Sequence, residues 1–356
     1  MSDSTALSAA QRAQQLLDLG RPVEALALCH QQLFSEPDSA PLLTVASMAA
    51  RRIGRVADAV DLGRRAVAAA PSADVAHGVL ATALLAAGQP REAADTAYRA
   101  VLLDPHNWVN HVRYSECLLA LPNGHAHAWA AAQEGVRLAP GEAMAHRQIA
   151  VVALRAPHVP GNLEIAERAL RAALEIAPDD PVLQHDLAAV HFGSAKEGQG
   201  LAGVVGVLAV DPTGVGAEGL ANARIVVFRG VFIDSVASVG AVLAFTMLTG
   251  KRLMWPDRPA ASVVLVVLVT WMLVHWRRFL TGPVQRRLVG DILRRSRLML
   301  LAVGCVVLAT LAMGSLVVLT YADPRAALGA VALPASLAAG LSGWAWVRAL
   351  LTPGRS

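Results

Sequence analysis

Cysteine is scarce in this chain: Cys29, Cys117 and Cys305 are the three in 356 residues, with no CxxC pair and no metal-ligand spacing. That excludes a disulfide framework and suits a reducing compartment. Lysine is scarcer still, since the 31 Lys and Arg residues include only Lys196 and Lys251. This Lys-poor, Ala-rich composition points to a GC-rich bacterial genome. The first 20 residues hold Asp3, Gln14, Gln15 and Asp18 and no apolar run of signal-peptide length, so the N-terminus is expected to stay in the cytosol. No nucleophile elbow, Walker loop, kinase set, paired-carboxylate motif, HExxH or Cys/His quartet is present. The sequence therefore supplies no catalytic residue, metal site or cofactor, and a non-enzymatic protein is expected.

Positive charge is lacking in the first part of the chain. Residues 1–223 carry 16 Lys and Arg against 23 Asp and Glu, and residues 224–356 carry 15 against 4, giving net charges of −7 and +11. The overall +4 does not point to nucleic acid, because the basic residues sit among long apolar runs. They point to a membrane surface instead. So sharp a shift in character predicts two domains.

A period organises the acidic part. Within residues 74–107, Leu80, Ala81, Leu84, Ala93, Ala97 and Ala100 recur at helical spacing in two runs, broken by Gly88 and closed by Asp104 and Pro105. The spacing predicts a helix, a tight turn and a second helix. Gly88 enters the left-handed region without steric cost, and Pro105 has no amide hydrogen to continue a helix. A step of 34 residues puts Gly20, Gly54 and Gly88 in one register, Ala25, Ala59 and Ala93 in a second, and Pro37, Pro71 and Pro105 in a third. Pro140, Pro178 and Pro212 continue the punctuation, with extra residues assigned to turns at 121–125 and 156–162. About six units result. The last is the weakest, because Gly198, Gly200, Gly203 and Gly206 interrupt its second helix at about 1 kcal/mol each relative to Ala.

This pattern resembles the tetratricopeptide repeat over roughly residues 7–212, about 60% of the chain. The resemblance implies hairpins stacked into a right-handed solenoid, with a concave groove lined by the first helix of each pair and occupied by a peptide or partner domain. Carried over place by place, the groove residues are Thr44, Met48, Val75, Thr82, Val112, Glu116, Met144, Arg147, Val182 and His185. The Lys and Asn set with which some members clamp a C-terminal carboxylate is missing, since Thr44, Met48 and Gly78 stand in its places. An extended or helical apolar segment is the expected ligand.

Beyond about Val215 the amphipathic period gives way to runs that are apolar on every side, at residues 231–249, 260–276, 298–321 and 326–351. Each is about long enough to cross a hydrocarbon core of roughly 30 Å. Trp255, Trp271, Trp276, Trp344 and Trp346 stand near their ends, where interfacial aromatics collect. The expected fold is all-α: a tetratricopeptide-like solenoid over 1–214, a linker or pre-membrane helix over 215–230, a four-helix transmembrane bundle over 231–351 and a tail over 352–356. Eleven arginines fall on one side of these spans and four basic residues on the other, which places both termini in the cytoplasm and the protein in the inner membrane. The expected function is a membrane-anchored adaptor whose solenoid recruits a protein partner. The alternative is a regulatory subunit of a small transporter or secretion machinery whose bundle carries the activity.

Four smaller features complete the reading. Between residues 282 and 297, Val284, Leu288, Val289, Ile292 and Leu293 share a helical face flanked by Arg286, Arg287, Arg294 and Arg295. This is either a lipid-facing amphipathic helix or a charge cluster that sets topology. Gly214, Gly216 and Gly219 spell a dinucleotide fingerprint but lack the second strand it needs, so a hinge is expected. Asp234 and His275, near the ends of their runs, are expected to snorkel to the interface. Ala335, Ala339 and Gly343 form a small-residue stripe suited to packing in the bundle or to a homo-oligomer contact.

Overall fold

The computed structural model describes residues 2–156, 159–194, 196–249, 267, 269–277, 280, 282–318 and, near the C-terminus, 335, 337–339, 341–342 and 344–345. The regular structure among the described residues is all α-helical. The chain divides into two compact units, Met1–Pro178 and Asp179–Ser356.

The first unit is a stack of helical hairpins. α1 (Ser2–Asp18) pairs with α2 (Pro22–Leu33), α3 (Ala40–Arg52) with α4 (Val56–Ala69), and α5 (Asp74–Ala86) with α6 (Pro90–Leu103). α7 (Trp108–Leu119) pairs with α8 (His125–Leu138), and α9 (Ala143–Leu154) with α10 (Asn162–Ile176). The first three turns are made the same way. Gly20, Gly54 and Gly88 have φ of 73°, 80° and 73°, a conformation that a side chain would strain. The amide three residues past the helix end then reaches back, Arg21 to the Leu16 carbonyl (2.8 Å), Arg55 to Ala50 (2.9 Å) and Gln89 to Leu84 (3.0 Å). These bonds satisfy carbonyls that the helix end would otherwise orphan. The fourth turn has no glycine at this place; there Asn123 adopts a φ of 63°.

Alanines let the paired helices approach closely, and Ala25, Ala59, Ala93, Ala97, Ala128 and Ala132 are fully buried. Two buried hydroxyls add bonds across a hairpin: Ser47 Oγ donates to the Ala59 carbonyl (2.7 Å) and Ser115 Oγ to that of Ala128 (2.8 Å). Histidines fasten the links between hairpins. The Nε2 atoms of His77, His111 and His146 each lie 2.9 Å from the carbonyl of the proline six residues earlier, Pro71, Pro105 and Pro140. Among the described residues no group of His, Cys, Asp and Glu side chains could hold a metal ion.

Buried thiols follow from the same packing. Burial pushes Cys29 up to about 11 and Cys117 up to about 12, so both stay protonated at neutral pH. Neither is expected to react with iodoacetamide while the first unit is folded, as followed by mass spectrometry, and both should react in urea. Labelling of Cys29 or Cys117 in the native protein at the rate of an unfolded thiol would contradict this packing.

The second unit opens with α11 (Pro181–Gly193) and α12 (Glu197–Val210), the hairpin of the sixth period. The carboxylate of Asp180 caps α11 by accepting the amides of Val182 (2.8 Å) and Leu183 (3.3 Å). The glycines of α12 have a packing reason: a Cβ on Gly200 would stand 2.6 Å from the Phe192 ring, and one on Gly203 3.0 Å from the Ala188 Cβ. Next comes α13 (Val215–Thr249). The Asp211 carboxylate accepts the amides of Thr213, Gly214 and Val215 (2.7–3.2 Å), and these bonds hold its carboxyl below the usual range. The glycine fingerprint is therefore the start of a helix. α14 (Pro283–Arg295) and α15 (Arg297–Val318) follow.

The expected transmembrane bundle and multi-pass inner-membrane location are corrected here. Among the described residues no helix is long and apolar enough to cross a membrane. Apolar residues of these runs are partly packed in protein, while others, Val236, Leu273, Leu301 and Val307 among them, are exposed. Phe192, Leu201 and Val204 pack with Val226, Val227 and Val231 of α13, Val289 and Ile292 of α14, and Met299 and Ala302 of α15. α13 also carries Glu218, Arg224, Arg229 and Asp234 along its length. Residues 260–266, 268, 319–321, 326–334, 336, 340, 343 and 346–351 of the expected spans lie outside the described residues.

Residues of three smaller features are also described. The α14 face bearing Val289 and Ile292 is buried in protein, while Arg286, Arg287, Arg294 and Arg295 are exposed. Asp234 does not snorkel: it is 2% exposed, lies 2.9 Å from His275 Nδ1 and accepts a hydrogen bond from Trp276 Nε1. Of the small-residue stripe, Ala335 is fully buried within this unit, and Gly343 lies outside the described residues.

Candidate functional site

Stacking leaves the two helices of each hairpin in different positions. α1, α3, α5, α7 and α9 pack directly on one another in succession, whereas successive second helices do not pack in this way. The stack of the first unit therefore curves toward its first helices, which line the concave side.

Not every residue expected in the groove lies open there. Thr44 and Val112 are buried between helices, and the hydroxyls of Thr44 and Thr82 turn back onto the carbonyls of Ala40 (2.7 Å) and Val79 (2.8 Å). Met48, Thr82, Glu116 and Arg147 are half-buried, and Val75 and Met144, near helix starts, are exposed. Val182 and His185 belong to α11 of the second unit, where His185 Nδ1 lies 3.3 Å from Asp186 Oδ1.

Two arginines that place-counting passes over complete a charged constellation. Arg113 of α7 lies across α5 at the place where Gly78 has no side chain: a Cβ there would stand 2.5 Å from Arg113 Nη1. Burial pushes the Arg113 guanidinium down from its ordinary value, opposed by attraction to Glu116 and Asp74 and reinforced by repulsion from Arg51. Burial pushes the Glu116 carboxyl up, opposed by Arg113, Arg147 and Arg51. Side chains from α3, α7 and α9 thus act on one another over the glycine of α5. Among the described residues, however, neither the Arg113 guanidinium nor the Glu116 carboxylate makes a hydrogen bond or a close ion pair.

Asp74 is differently placed. Its Oδ2 accepts from Asn107 Nδ2 and Asn110 Nδ2, each at 2.8 Å. Burial alone would raise its carboxyl, but the two amides, the Val75 backbone and Arg113 together hold it below the ordinary value. Asn110 is fully buried and also donates to the carbonyls of Ala100 (3.2 Å) and Asp104 (3.3 Å), while Asn107 caps α7 through the Val109 amide (3.1 Å). This group fastens one hairpin to the next. Elsewhere, a mainly apolar cavity of about 290 Å³ is lined by Trp129, Ala153, Ala156, Val159 and Ile165, together with His125, Ala126 and Asn162.

The hairpins, their 34-residue step and the recurring turn define an all-α solenoid of tetratricopeptide type, with a concave face built from first helices. No protein-family model matches the sequence, and no curated protein matches it. Solved structures do. A thermophilic tetratricopeptide protein of Thermus thermophilus is 23% identical, with 52% of this chain and 98% of that one covered at a TM-score of 0.48. A tetratricopeptide repeat protein from Parabacteroides merdae is 15% identical, with 81% and 99% covered at 0.45. YrrB, a tetratricopeptide protein with an unusual peptide-binding site, is 22% identical, with 51% and 90% covered at 0.36.

Proposed function

We propose that this chain is a protein-interaction scaffold whose first unit presents its first-helix face to a partner protein. The observation that carries the reading is the Arg113 and Glu116 pair of the groove, half-buried charges that make no hydrogen bond or close ion pair among the described residues. Groups of this kind are costly in a finished interior and ordinary in a surface that awaits a partner. The hairpin cores are built without Arg113 and Glu116.

The reading is tested by capture with the full-length chain. Thr82→Trp on α5 should obstruct the groove, whereas Arg99→Trp on the exposed side of α6 should not. A protein partner retained by the wild type and by Arg99→Trp, and lost at least about tenfold with Thr82→Trp, is the expected result; tenfold is about 1.4 kcal/mol. Equal retention by all three would remove the groove from the account.

A further inference from the structure

We infer that the first unit carries a second site, away from its first-helix groove: a trough between α8 and α10 that holds a linear carboxylate with an apolar tail, in its simplest form a medium-chain fatty acid. This goes beyond the scaffold reading and does not rest on it.

Two cavities adjoin along these helices, and α9, which packs against both α8 and α10, lies between them. The narrow cavity of about 290 Å³ runs from His125 and Ala126 to Trp129 on α8 and from Asn162 to Ile165 on α10, with Ala153 of α9. The next, about 630 Å³ and more open, begins at the same Trp129 and Ile165. It continues to Arg137 on α8 and to Arg168 on α10, with Ile149 and His146 of α9. The lining residues therefore advance together along both walls, and from His125 to Arg137 the trough spans about 18 Å at roughly 1.5 Å per residue. Seven residues separate α9 from α10, against three in each of the first three hairpins, and Ala156 and Val159 of this longer link line the narrow end.

The two ends differ in chemistry. Alanine, valine, isoleucine and Trp129 dominate the narrow end, where His125 Nε2 lies 3.0 Å from the Val152 carbonyl. A dry apolar cavity of about 150 Å³ holds a benzene ring, so the narrow end has room for an alkyl chain. Among the described residues no acidic side chain lines either cavity, whereas Arg137, Arg168 and His146 line the wide end. Arg137 is held by Glu134 (2.6–2.7 Å), and His146 Nε2 lies 2.9 Å from the Pro140 carbonyl. The exposed Arg168 guanidinium makes no hydrogen bond or ion pair among the described residues and is left to meet a carboxylate in a bidentate fork. A peptide segment is the weaker occupant, because the narrow end offers only Asn162 and His125 as polar side chains for its backbone.

The test is equilibrium dialysis of the full-length protein against radiolabelled decanoate and decanol, each kept below its aggregation limit. At low salt decanoate should bind about fivefold more tightly than decanol, as one exposed ion pair allows, and the difference should shrink as salt rises. Arg168→Gln should bring decanoate down to the affinity of decanol and leave decanol unchanged, a pattern that misfolding cannot imitate. Ala126→Trp, at an exposed place beside the narrow cavity, should weaken both ligands about tenfold or more. Thr82→Trp, in the first-helix groove, should change neither.

Absence of decanoate binding overturns the inference. So does equal affinity for the two ligands, or a preference that survives Arg168→Gln. Binding that survives Ala126→Trp, or that is lost with Thr82→Trp, puts the ligand elsewhere and likewise overturns it. A protein adduct from a photoreactive side chain at position 126, with no decanoate bound, assigns the trough to a partner protein instead. None of these readings uses the partner that the groove captures, so the trough can fail while the groove reading stands, and the reverse.

Discussion

Leu84→Ala is expected to lower the stability of the first unit by about 2–5 kcal/mol. Leu84 lies on α5 with no exposed surface, in a continuous core that also holds Leu42, Leu43, Leu80 and Leu118. It belongs to the middle of five hairpins, so a cavity there weakens contacts to both neighbours. Its own carbonyl accepts the Gln89 amide that closes the hairpin turn (3.0 Å), so loosening the side chain also loosens the turn. Removing three carbons leaves a void that tightly packed alanines cannot collapse to fill. Urea unfolding followed by circular dichroism gives the loss directly, and calorimetry should show a fall in melting temperature. A loss below about 1 kcal/mol would mean that the stacked core is not packed as described.

Asp234→Ala is expected to cost the second unit about 3 kcal/mol, because a buried carboxylate paired with His275 and bonded to Trp276 is lost. The carboxylate is 2% exposed, 2.9 Å from His275 Nδ1, and is the acceptor for Trp276 Nε1. Beside it, Ser235 Oγ donates to the Val231 carbonyl (2.7 Å) and accepts from Ser342 Oγ (3.2 Å). Three stretches far apart in sequence meet in this polar layer, so its loss should loosen all three. The change is measured as an earlier unfolding transition accompanied by a shift in tryptophan emission. Unchanged stability would show that the carboxylate reaches solvent and that the layer does not form.

The first unit is legible in the sequence because its determinants are local. A glycine at positive φ, an alanine at a helix crossing and a proline after a helix each act within a few residues, and their 34-residue register follows. The histidine ties are less legible. A ring nitrogen bonded to a carbonyl six residues back leaves no hydrophobic period, so His77, His111 and His146 read as ordinary polar residues.

The second unit is where local reading fails, for a physical reason. An all-apolar helix carries no record of what covers it, so Val231, Met299 and Ala302 read the same whether lipid or a protein core surrounds them. Likewise, the glycines of α12 look like defects until Phe192 and Ala188 are seen against them.

In the groove, counting places within a repeat finds Glu116 and Arg147 but passes over Arg113 and Arg51. Arg113 stands one place after Val112, and it matters only because its long side chain reaches back over Gly78. The absence of a side chain at Gly78 is the signal that could have pointed to it, since a gap on a groove helix invites a neighbour to cross.

The most direct measurement of the central claim is site-specific photocrosslinking in the full-length protein, with the reactive side chain placed in turn at Thr82 on α5 and at Tyr98, exposed on α6. The account predicts a partner-protein adduct from position 82 that is lost with Arg113→Gln, and no adduct from position 98. An adduct from position 98 in the absence of one from position 82 would contradict it.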